Sequence, residues 1–119
     1  MLASTRQELQ AIATQLLDVL ADYQRTVGGL VASRRDMGLY TESSEQFDRG
    51  RLYAAALPRV QVVWIELLIC RYELMTTLWS DKLVPRKRIL ELHERHEAAL
   101  ESVRRAVTLH YLAVLPPQH

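Results

Sequence analysis

The chain has 119 residues, of which 49% are hydrophobic and 24% charged, with four glycines, four prolines and a formal net charge of +1. That length supports one core and not two, and the composition excludes a disordered chain. The near-neutral balance excludes a general electrostatic field for nucleic acid or for cationic partners. Cys70 is the only cysteine, so no intramolecular disulfide can form, and within an apolar run its thiol is expected to behave as a small hydrophobe.

The start of the chain turns polar at Ser4, Thr5 and Arg6 with no basic-then-apolar leader pattern, so no signal peptide is expected. The most apolar stretch, Val60 to Cys70, contains Glu66 and is followed by Arg71. It falls well short of the roughly 20 apolar residues of a membrane span. The sequence therefore reads as a cytoplasmic protein with no membrane contact.

Ser4 and Gln7 have the form of a capping box and predict the start of a first helix. Leu9, Ala13, Leu16, Leu20, Tyr23, Val27 and Leu30 then recur at spacings of four and three, a seam for packing on other helices. The seam continues through Gly28 and Gly29, which predicts helix to about Arg35 and permits close backbone approach at the glycines. Asp36 to Tyr40 reads as a connection. A shorter second helix should start near Thr41, Ser43 and Ser44 and run to about Leu57, before Pro58. The third helix, about Pro58 to Asp81, is the most apolar and is expected at the centre of the bundle, with Arg59, Glu66, Glu73 and Ser80 toward solvent. A last long helix should run from about Pro85 to Val114, ahead of Pro116 and Pro117. No strand pattern competes. The expected fold is all-α: a single domain over residues 1–119 forming a four-helix antiparallel bundle. Its long first helix outruns the short second one, so a homodimer is expected to cover the remainder.

Polar residues that interrupt apolar seams are the candidates for function. Arg6 and Arg34 extend the first seam at either end, and Arg71 shares a helical face with Trp64, Leu67, Leu68, Met75 and Leu78. Arginines aimed at an interior can grip a carboxylate bidentately, although reaching water or pairing with glutamate would serve as well. The fourth helix places His93, His96 and His110 on a seam with Ile89, Leu100, Val103, Val107 and Val114. His93, His96 and Glu97 are weak candidates for metal ligands, because di-iron bundles need a Glu-x-x-His pair that is absent here. The basic cluster Arg86, Lys87 and Arg88, with Lys82, lies among acids and lacks interleaved aromatics, so it predicts a solvated face and no nucleic-acid site. No phosphate loop, zinc-cysteine cluster or nucleophile elbow is present, and no cofactor is implied.

The stretch Arg6-Gln7-Glu8-Leu9-Gln10-Ala11-Ile12, continuing through Leu16-Leu17-Asp18-Val19-Leu20-Ala21-Asp22, resembles the all-helical chorismate mutases. So do Gly28-Gly29 ahead of Arg34, then Gly38-Leu39-Tyr40-Thr41 and Ser44-Glu45, a likeness extending over residues 6–57. The resemblance implies an intertwined dimer and a pocket that holds a dicarboxylate through cations. By that likeness Arg6, Arg34 and Glu45 would be catalytic; taken with the arginines on apolar faces, Arg6, Tyr23, Arg34, Thr41 and Arg71 would line the substrate. The set is degenerate: Tyr23 stands in place of the family's second essential arginine, and Ser44 in place of the arginine before the glutamate. Two functions are therefore expected. One is a domain that binds or converts a small carboxylate; the other is a non-enzymatic module that docks a protein partner.

Overall fold

The computed structural model describes residues 5–80 and 82–113. Its elements are α1 (Arg6–Ser33), α2 (Met37–Ala54), a single 3-10 turn (Pro58–Val60), α3 (Gln61–Leu78), α4 (Arg86–Val107) and a π-helical turn (Thr108–Leu112) that prolongs α4. No strand occurs among the described residues. The four helices run up, down, up and down: α1 packs mainly on α2 and α3 on α4, and α1 closes the ring against α4. The particle is elongated, 59 × 31 × 20 Å. No helix of the described residues is long and apolar enough to cross a membrane.

The predicted seam of α1 becomes the core. Ala13, Leu16, Leu20, Tyr23, Val27 and Leu30 are all buried, facing Leu57, Trp64, Leu67, Leu74, Leu92, Leu100 and Val103 from the other helices. Gly50 of α2 permits a close interhelical approach, since a Cβ there would lie 3.2 Å from the Trp64 ring. Gly28 would meet nothing within 4 Å and Gly29 makes only ordinary contact with Leu39, so the close approach expected in α1 occurs in α2 instead.

The ends differ from the expected ones for identifiable reasons. The capping box uses Thr5 and Glu8, each side chain accepting the other's backbone amide at 3.1–3.2 Å; Ser4 lies outside the described residues. α1 stops at Ser33, two residues early, because Arg34 and Arg35 both take positive φ (51° and 47°). Such strain costs on the order of 1–3 kcal/mol per residue and needs outside support. Here Arg34 donates to the Val84 carbonyl, and Arg35 donates to the carbonyls of Leu78 and Ser80 at the end of α3. α2 starts four residues before Thr41 because the Asp36 side chain accepts from the Leu39 amide and caps it. What reads as a connection is a helix start. Val114, Pro116, Pro117 and Asp81, which mark predicted helix ends, lie outside the described residues.

α3 is the largest correction. It is apolar on all sides, yet it is not central. Trp64, Leu67, Leu74, Met75 and Leu78 are buried, whereas Val62, Ile65, Leu68, Ile69 and Tyr72 are exposed. Of the residues expected toward solvent, Arg59 and Glu66 are exposed, while Glu73 is half-buried and pairs with Arg95 of α4 at 3.5 Å.

Candidate functional site

Halfway along the bundle the apolar core is interrupted by a polar chain that joins all four helices. Arg71 of α3 donates through Nη2 to Ser44 Oγ of α2 at 2.8 Å, and its guanidinium lies 5.1 Å over the Phe47 ring. Its charge also acts on the hydroxyl of Tyr23 on α1. That hydroxyl lies 2.8 Å from Nε2 of His96 on α4. Phe47 in turn stacks on Trp64 with centroids 4.8 Å apart. Period 3.6 explains the assembly: Tyr23 and His96 sit at seam positions of their helices, so both side chains must enter the core.

The electrostatics follow from burial. His96 is fully buried and its imidazole pKa is pushed down to about 3, by desolvation first and by the nearby His93 and Arg71 second. The ring is therefore neutral at pH 7. Burial likewise pushes the Tyr23 phenol well above its ordinary value, with the charge of Arg71 offsetting part of the rise. The Tyr23 hydroxyl and His96 Nε2 share one hydrogen bond, and the other ring nitrogen, Nδ1, is buried without a partner. Arg71 keeps two features unusual for a half-buried arginine. It makes no ion pair among the described residues, and its Nε is buried without a hydrogen-bond partner.

Arg71 borders a cleft of about 350 Å³ between the start of α2 and the second half of α3, lined also by Met37, Tyr40, Tyr72, Met75 and Trp79. Tyr40 and Trp79 form one wall, with ring centroids 4.8 Å apart. A single cation in an aromatic and thioether surround suits an anion with an apolar body.

The other expected site residues do not join Arg71. Arg6 is exposed at the first turn of α1, and Arg34 lies exposed just past its end, about 40 Å away by helical rise. One copy of the chain therefore cannot clamp one small dicarboxylate with both. Arg34 instead ties α1 to the connection before α4. Thr41 and Glu45 are exposed on α2. Tyr23 does reach Arg71, but as a buried member of the polar chain. The three weak metal candidates separate as well: His93 Nε2 meets Glu97 at 3.3 Å while His96 turns toward Tyr23. Glu97 also accepts from Gln24, which accepts from Arg104. Among the described residues no group of three or more His, Cys, Asp or Glu could hold a metal ion. Cys70 is half-buried, and burial pushes its thiol up, away from reactivity.

Reasoning from sequence missed the cleft's aromatic walls. Tyr40 falls in a supposed connection, and Trp79 sits at the fraying end of α3. A signal existed in the spacing of Arg71, Met75 and Trp79 along one face of α3. Ser44, read in the sequence as a candidate helix start and as a departure from a family pattern, proves to be the acceptor for Arg71. Compared with known proteins, the chain matches no family model, no curated protein and no solved structure.

Proposed function

We propose that this protein is a helical domain that binds a small carboxylate with an aromatic or otherwise apolar body, gripped by Arg71. One observation carries the reading: a half-buried guanidinium with no acidic partner among the described residues opens onto an aromatic-lined cleft. Leaving a cation half-desolvated and unpaired is costly, and an incoming carboxylate removes that cost through charge-assisted hydrogen bonds. Ser44 and Phe47 hold the guanidinium in place from behind, and the Tyr23–His96 pair fixes the layer beneath it.

The likeness to chorismate mutases enters this proposal in reduced form. A pericyclic rearrangement needs its substrate held compact and a second cation at the ether oxygen where negative charge develops. Arg71 is the sole cation lining the cleft among the described residues. The reading is therefore a divergent, mutase-like domain that retains acid binding and has lost the charge set for turnover. Glu45 and Arg6 play no part in it within one copy.

Calorimetric titration with salicylate, prephenate and chorismate tests this. Binding at micromolar to millimolar concentration is expected, with no loss of chorismate absorbance. Arg71→Met should weaken binding at least about tenfold, or about 1.4 kcal/mol, while Arg6→Ala and Arg34→Ala leave it unchanged. Equal binding by Arg71→Met and the parent chain overturns the proposal.

The exposed apolar face of α3 supports a second reading, an association module. The two are compatible, because Tyr72 belongs both to that face and to the cleft.

A further inference from the structure

Val62, Ile65, Ile69, Tyr72 and Thr76 follow one another along α3 at spacings of three and four and are all exposed, with Leu68 beside them. Val62 is 72% exposed, Tyr72 70% and Ile69 53%. This is the a/d spacing of a helix that packs on another helix, and none of the described residues covers it. Scattered exposed side chains need no explanation, but a continuous stripe of this length does. Next to it runs a groove between α3 and α4 of about 390 Å³, lined by Glu66, Ile69, Cys70, Arg95, Ala98 and Ser102. The small residues of α4 leave room there for an approaching helix.

We infer that this stripe docks on the same stripe of a second copy in antiparallel register centred on Ile69, and that the second copy completes the open side of the Arg71 cleft. Charge placement selects that register. Glu66 lies three residues before Ile69, and Arg95 sits level with Glu73, four residues after it, on the same α4 side. A twofold axis through Ile69, across the helix, preserves sides and reverses direction, so Glu66 of each copy faces Arg95 of the other. A parallel pair needs its twofold axis along the helix, which reverses sides and carries Glu66 of the second copy to the far flank of the stripe, away from Arg95. The same axis brings Val62 of one copy level with Thr76 of the other and Ile65 beside its Tyr72, at the mouth of the cleft. Five side chains at this exposure present roughly 500 Å² per copy, and about 1,000 Å² for a pair reaches the lower bound of a specific interface. The coupling to the cleft rests on the acid-binding reading; the self-association does not.

Sedimentation velocity and salicylate calorimetry on the full chain test both halves. The parent chain should sediment as a dimer at tens of micromolar. Ile69→Glu, at a half-exposed position, should keep its helical circular dichroism and raise the dimer dissociation constant about a hundredfold, because it buries a charge in the interface. Glu66→Arg should weaken the dimer, and adding Arg95→Glu should restore it. Salicylate should bind Ile69→Glu about tenfold more weakly than the parent. A parent chain that stays monomeric at about 100 µM, where a dimer with a dissociation constant in the tens of micromolar is largely formed, overturns the inference, as does a dimer that survives Ile69→Glu. Failure of Arg95→Glu to rescue overturns the register. Equal salicylate affinity in the parent and Ile69→Glu overturns the coupling. If neither binds salicylate while Ile69→Glu still dissociates the dimer, the acid-binding reading and the coupling fall and self-association stands.

Discussion

His96 shows how burial alone sets the chemistry of a residue. Its neutral ring is compatible with the core only because Tyr23 supplies one hydrogen bond, and protonation would place a charge beside Arg71 in an apolar layer. The folded-state pKa of about 3 lies below the ordinary histidine value of about 6.5. Between those limits the unfolded chain binds the extra proton and the folded chain does not. Stability from this group is therefore complete above about pH 6.5 and is lost as pH falls toward 3, with a slope approaching 1.4 kcal/mol per pH unit. Urea denaturation from pH 4 to 7 should show that slope. His96→Gln, whose side-chain amide can still hydrogen-bond with Tyr23, should remove its contribution. An unchanged slope in the variant would assign the acid sensitivity to other groups.

At the scale of elements, the two glycines with contrasting surroundings make opposite predictions. Gly28 lies inside α1 with open space at its Cβ position. Gly28→Ala should therefore stabilise the protein by about 0.5–1 kcal/mol through helix propensity alone. Gly50 is buried, and a Cβ there would press on Trp64 at 3.2 Å, a ring already stacked on Phe47. Gly50→Ala gains the same propensity but forces that stack to move, so a net loss of about 1 kcal/mol or more is expected. Denaturant midpoints of the two variants, one rising and one falling, check both. α3 carries the related lesson for a whole helix. Its apolar residues are distributed all round, which in a sequence reads as central burial. In the fold, one side of α3 faces α4 and α2 while the other is left bare.

For the whole molecule, the bare side of α3 makes folding and association linked equilibria. If the dimer forms as inferred, the melting temperature of the parent chain should rise with protein concentration across roughly 1–100 µM, because association stabilises the folded chain by mass action. That of Ile69→Glu should not. Differential scanning fluorimetry at several concentrations reads the difference, and parallel, concentration-independent melts would show that the bundle is stable as a single copy.

The sequence by itself determined the helices and the inward face of α1, because a period of 3.6 in apolar residues leaves only one buried stripe to choose. It also marked Arg71 as a cation on an apolar face. It did not determine the helix end at Ser33, which depends on carbonyls supplied from elsewhere along the chain, whereas the start at Met37 rests on the adjacent Asp36 cap, a local signal. Nor could it separate Arg71 from Arg6 and Arg34, since seam position tells which side of a helix a residue faces and not how far along the bundle it lies. Only the tertiary structure decided that Arg71 meets Ser44, Phe47 and the Tyr23–His96 pair, that Tyr40 and Trp79 wall a cleft beside it, and that α3 stands at the edge. Those are contacts between residues tens of positions apart, set by how four helices pack and not by the period of any one.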